Sequence, residues 1–98
     1  MRNAGTPTNL DRLGYYRLEA IIWGVREHPR RYALTLFPSR PQHYVTAAKL
    51  LALYALELLE ARRYRAQGHF RDAGKVRERC RAIYNKLPAC ARWKRKAP

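Results

Sequence analysis

The sequence predicts an all-α protein: a small three-helix bundle, or a helical hairpin with an N-terminal helix against it, with an irregular crossover and a basic C-terminal tail. Three observations carry that expectation. Leu18, Ile21, Ile22 and Val25 recur at helical spacing, as do Phe70, Ala73, Val76, Cys80, Ile83 and Leu87. Between those stripes, residues Tyr44 to Ala61 are apolar nearly all round, which suits a helix in the middle of a bundle or against a partner. Only one short segment alternates in the manner of a strand, and one strand makes no sheet.

With 98 residues the chain fits a single small domain. Its 47% hydrophobic content is enough to build a core. The expected division is an extended lead-in over 1–8, a helical domain over 9–88 and a basic tail over 89–98.

Thr8 or Asn9 is suited to cap the first helix, with Asp11 in its opening turn where a carboxylate meets the positive end of the dipole. That helix is expected from Leu10 to about Arg26, with Arg12, Glu19 and Arg26 as its wet edge and Pro29 as its stop. Gly14 and Gly24 weaken it but allow another backbone to come close. Residues 28–42 look least helical. Tyr32, Leu34 and Leu36 alternate with Ala33, Thr35 and Phe37, and the segment is read as an extended, packed crossover.

The second helix has the clearest start: Ser39 as cap, Gln42 three residues on, and Pro41 in the first turn. Gly68 suits its stop and Pro88 closes the third helix. The spacing Tyr64, Gly68, Phe70 and Ala73 resembles the turn of a tetratricopeptide-type helical hairpin. The likeness has no second copy at the period of about 34 residues that family uses, so it implies antiparallel helices and no more.

Charge is the strongest functional signal. The chain carries a formal net charge of +14, and the excess is concentrated: residues 62–98 hold 13 Lys or Arg against 2 carboxylates. A chain that repels itself so strongly gains from a polyanionic partner, and the planar arginine fork matches phosphate. On the third helix Arg71, Lys75 and Arg79 repeat every four residues, with Arg77 and Arg81 beside them and Lys86 further along. Arg62, Arg63 and Arg65 end the second helix, so a hairpin at Gly68 brings them near the start of the third. Arg92, Lys94, Arg95 and Lys96 follow in the tail. Ordinary helical surfaces interleave Glu among such residues, whereas only Asp72 and Glu78 are available here.

Two aromatics lie among these cations. Tyr84 is read as packed beside Ile83. Trp93 is open to two readings, stacking on an unpaired base or packing back onto the bundle, and is counted with the binding residues. There is no RNP signature, GxxG clamp or zinc-finger spacing, so the pattern speaks for phosphate rather than for sequence.

Cys80 and Cys90 are spaced as in half of a twin CX9C mitochondrial protein, which they resemble without the other half. In a continuous helix they would lie about 15 Å apart, beyond the roughly 4.4–6.8 Å between α-carbons that a disulfide spans. Only a reversal at Pro88 would bridge them. Cys80 is read as a small core residue, and a zinc site with His43 or His69 is not expected. Arg63 and His69 near a helical turn resemble the Arg…His motif of HEPN ribonucleases, a motif short enough to arise by chance in an Arg-rich chain; His69 is read as a polar turn residue. Ser39 is the only serine, and the carboxylates form no acid–base pair. Neither catalysis nor a cofactor is expected.

These observations predict a non-catalytic accessory subunit of a ribonucleoprotein assembly, of ribosomal or guide-RNA effector type. Its partners are RNA before DNA, together with protein subunits. The alternative is a helical adaptor docking on an acidic protein, with the apolar second helix as the partner-facing element. No apolar run is long enough for a transmembrane segment, and MRNAGTPTNL lacks the apolar core of a secretory signal. The expected location is therefore the cytoplasm or an organelle matrix, not the exterior.

Overall fold

In the computed structural model, which describes residues 8–37 and 44–93, every regular element is helical. The elements are α1 (Tyr15–Glu27), α2 (Pro29–Leu36), α3 (Val45–Ala66) and α4 (Phe70–Lys86), with short 3-10 turns at Leu10–Arg12 and Ala89–Ala91. The all-α class is as expected, with one helix more than the three foreseen.

Asn9 does cap, but it caps a single 3-10 turn: its side-chain oxygen accepts from the Asp11 amide at 3.0 Å. Leu10 is thereby turned into the core. The chain then straightens through Leu13 and Gly14, and α1 starts at Tyr15 rather than at Leu10. Leu18, Ile21, Ile22 and Val25 are its buried face.

Residues 28–42, expected as an extended crossover, contain α2 instead. Pro29 stands at the first helical position, where its missing amide hydrogen is not needed and its fixed φ suits the helix. It both follows the end of α1 and opens the next element. His28 makes the corner: its amide donates to the Gly24 carbonyl, and its own carbonyl accepts from the Tyr32 amide, each at 2.9 Å. Ala33 is buried with Tyr32, Leu36 and Phe37 packed beside it, a helical stripe, while Leu34 is exposed. Gly24 permits the fold-back, since a Cβ there would lie 2.4 Å from Cε1 of the Tyr32 ring. The Ser39, Pro41 and Gln42 start signal lies outside the described residues.

α3 is the central helix and packs against α1, α2 and α4. It buries Ala47, Ala48, Leu51, Tyr54, Ala55, Leu58, Leu59 and Ala61, the alanines leaving room for close neighbours. Its last turn ends as a Schellman motif: the His69 amide donates to the Tyr64 carbonyl at 2.8 Å and the Gly68 amide to that of Arg65 at 3.1 Å. Gly68 takes the required left-handed conformation, with φ at +82°. The chain reverses there into α4, which faces α3 with Ala73, Val76 and Cys80.

The packed body continues past Pro88, to Trp93. Ala91 and Trp93 join the core, so the expected boundary at residue 88 is moved. Arg92 secures this return, donating to the Leu87 carbonyl at 2.9 Å and to that of Asn85 at 3.0 Å. The Trp93 ring stands edge-on to Tyr54 and Tyr84, with centroids 5.2 and 4.9 Å away. Its indole nitrogen donates to Asp11 Oδ2 at 3.3 Å, and its carbonyl accepts from the Tyr84 hydroxyl. Residues 94–98 lie outside the described part. Both cysteines are unbridged. Burial pushes the Cys80 thiol up to about 11, and the exposed Cys90 sulfur lies 2.7 Å from the Tyr44 hydroxyl.

Candidate nucleic-acid interface

The buried stripe of α4 leaves two rows of cations on its outer surface. Phe70, Gly74, Arg77 and Arg81 follow one another at intervals of three or four residues on one flank. Arg71, Lys75 and Arg79 run along the other, with Lys86 two turns beyond.

Hydrogen bonds sort the fourteen anticipated site residues. Arg79 is drawn onto α3, its Nε 3.1 Å from Glu57 and its terminal nitrogen 3.0 Å from Glu60. The bond to Glu57 and that carboxylate's charge are the main causes that raise its pKa further. The carboxylates that meet it come from the neighbouring helix, which is why α4 alone did not reveal them. Arg62 donates to the Leu13 carbonyl at 2.7 Å and to the Asp11 carbonyl at 3.0 Å, holding the N-terminal turn against α3. Arg92 ties down the end of α4. All three arginines are engaged within the fold, Arg62 and Arg92 on backbone carbonyls and Arg79 on carboxylates.

Trp93 is corrected outright. At 3% exposure its ring is enclosed by Tyr54 and Tyr84 and cannot stack on a base. Arg63 lies apart from the α4 rows, because one residue along a helix turns the side chain by about 100°. It lines a groove of about 440 Å3 between α1 and α3 with Ile22, Trp23, Leu56, Glu19 and Glu60. Lys94, Arg95 and Lys96 fall outside the described residues.

Of the anticipated residues, six exposed cations on α4 and the end of α3 are left without such engagements: Arg65, Arg71, Lys75, Arg77, Arg81 and Lys86. No carboxylate among the described residues pairs with any of them. Asp72, the one acid in the first turn of α4, lies 3.8 Å from His69 Nδ1.

A further surface residue was not anticipated. Phe70, read as the start of the apolar stripe, is 66% exposed. It opens α4 just after the turn, where no earlier turn of the helix covers it. Its place directly behind Gly68-His69 was the available signal. Phe70 borders a groove of about 290 Å3 between α3 and α4, with Ala61, Ala73 and Gly74 lining it and Arg62, Arg65 and Arg77 on its walls.

Among the described residues no group of His, Cys, Asp and Glu could hold a metal ion. None of the described helices is long and apolar enough to cross a membrane. His69 sits over Tyr64 with ring centroids 6.2 Å apart, while Arg63 faces α1. No protein-family model, curated protein or solved structure matches the chain.

Proposed function

We propose that the protein is a non-catalytic accessory subunit of a ribonucleoprotein assembly, binding the phosphate backbone of RNA, or less favourably of DNA, through α4 and the end of α3. The observation that carries this reading is the set of six exposed cations without carboxylate partners among the described residues. Self-repulsion along such a surface is relieved by phosphate, and arginine supplies most of the contacts. Sequence-independent phosphate binding also agrees with the lack of any base-reading motif.

The test is binding to single-stranded RNA, duplex RNA and duplex DNA across a salt series. A steep fall of log K with log salt supports the reading, and the ranking of the ligands names the polymer. A flat or absent response removes it. Arg71→Glu with Lys75→Glu should weaken binding by at least about tenfold while leaving helicity unchanged, because both residues are exposed and unpaired.

A second reading rests on the α1/α3 groove. Trp23 is 55% exposed there, Leu56 is also exposed, and Arg26 lies 5.5 Å from the Trp23 ring centroid. An apolar patch with a polar rim fits a protein neighbour. It favours the adaptor alternative if the salt series fails, and accommodates a protein subunit of the same assembly if it succeeds.

A further inference from the structure

We infer that the groove between α3 and α4 receives an unpaired base against Phe70 with its phosphate on Arg65 and Arg77, so that the ligand is single-stranded. This rests on the nucleic-acid reading and deepens it.

An exposed ring by itself is ordinary. Here the ring borders a recess with cations on both helices and an apolar lining. Arg65 and Arg77 meet no carboxylate among the described residues, so they are available to a ligand anion. Gly74 adds no side chain to the recess, and the space where its Cβ would be is open, with nothing within 4 Å. The space, about 290 Å3, is roughly twice that of an engineered ~150 Å3 cavity that admits benzene. Arg62 is held by the carbonyls of Asp11 and Leu13, which fixes that wall in the absence of ligand.

The occupant follows from this combination. A duplex hides the faces of its bases in its own stack, so it can offer phosphate to the arginines but no ring to Phe70. An acidic peptide matches the charge and leaves the ring unused. An unpaired nucleotide presents a flat π-face and an anion together, matching the ring and the cations at once.

The experiment measures fluorescence anisotropy with a short labelled RNA strand of mixed sequence, alone and annealed to its complement. Phe70→Ala should weaken single-strand binding by about tenfold, leave duplex binding unchanged and leave the salt slope as it was, because stacking releases no counterions. Phe70→Tyr, which keeps the ring, should bind like the wild type. Phe70→Leu, which keeps only apolar bulk, should behave like the alanine variant. Arg77→Gln should instead reduce the single-strand slope by about 0.7. Melting of each variant by circular dichroism checks the fold.

If the wild type binds both RNA forms with a steep salt slope and Phe70→Ala loses nothing, or loses equally on both, this inference falls and the phosphate-binding function stands. Displacement of the RNA by polyglutamate at equal charge overturns it too, in favour of a general anion groove. If the wild type binds no nucleic acid, both fall.

Discussion

The two carboxylate oxygens of Asp11 are taken by distant parts of the chain. Oδ1 accepts the Tyr54 hydroxyl at 2.5 Å, from the middle of α3, and Oδ2 accepts the Trp93 indole at 3.3 Å. Tyr54 is wholly buried and Trp93 nearly so, so neither donor has water as a substitute. A buried donor left without its acceptor costs about 1–3 kcal/mol. Asp11→Ala should therefore destabilise the fold by about 3 kcal/mol, lowering Tm by upward of about 10 °C. Tyr54→Phe removes one bond and should cost about 1–1.5 kcal/mol; equal losses would show that the carboxylate does not join the two ends. Cys80 supports a different prediction. Its unperturbed value is 9.0, and burial raises it to about 11. Between these values the unfolded chain holds fewer protons than the folded one, so stability falls as pH rises, by at most about 1.4 kcal/mol per pH unit. In urea titrations the stability gap between wild type and Cys80→Ala should narrow as pH is raised through that window. A constant gap would mean that the thiol titrates normally.

At the scale of elements, Gly68 and Gly74 should respond oppositely to the same substitution. Neither has an atom within 4 Å of a prospective Cβ, so packing is not at issue at either position. Gly74 lies inside α4, where glycine is about 1 kcal/mol worse than alanine, and Gly74→Ala should raise stability by about that much. Gly68 sits at φ +82°, and Gly68→Ala should cost about 1 kcal/mol or more through left-handed strain. Thermal melts of the two variants on either side of the wild type would bear this out; a shared direction would not. Gly68 was readable as a stop because the chemistry of a Schellman turn is local. α2 was not readable, because over eight residues the strand pattern Tyr32, Leu34, Leu36 overlaps the helical one of Tyr32, Ala33, Leu36. The choice falls to Ala33, whose burial beneath neighbouring elements no local pattern discloses. The late start of α1 has the same origin, since Asn9 has the chemistry of a cap whether it opens a 3-10 turn or a helix.

For the whole molecule, the location of the charge was legible in the sequence, but its cancellation was not. The periodicity of α4 correctly put Arg71, Lys75, Arg77 and Arg81 outside, because Ala73, Val76 and Cys80 had to face inward. That Arg79 meets Glu57 and Glu60, that Arg62 closes on Leu13, and that Trp93 turns inward depend on how α3 and α4 pair and where the chain returns. Counting basic residues therefore overstates the available surface, and the salt response measures the difference. The six unpaired cations of α3 and α4, each contacting one phosphate, predict a contribution near −4 to the slope of log K against log salt for a single strand, at about −0.7 per contact, to which any contact from residues 94–96 adds. Counting Arg62, Arg79 and Arg92 as well would bring it near −6. Arg71→Gln with Lys75→Gln should flatten the slope by about 1.4. Arg79→Gln should leave it unaltered, since that guanidinium already faces carboxylates, and should lower stability only slightly because the pair is exposed. If Arg79→Gln flattens the slope as each of the other two does, Arg79 leaves Glu57 and Glu60 when the ligand arrives, and the pair is then a latch that nucleic acid opens rather than a strut.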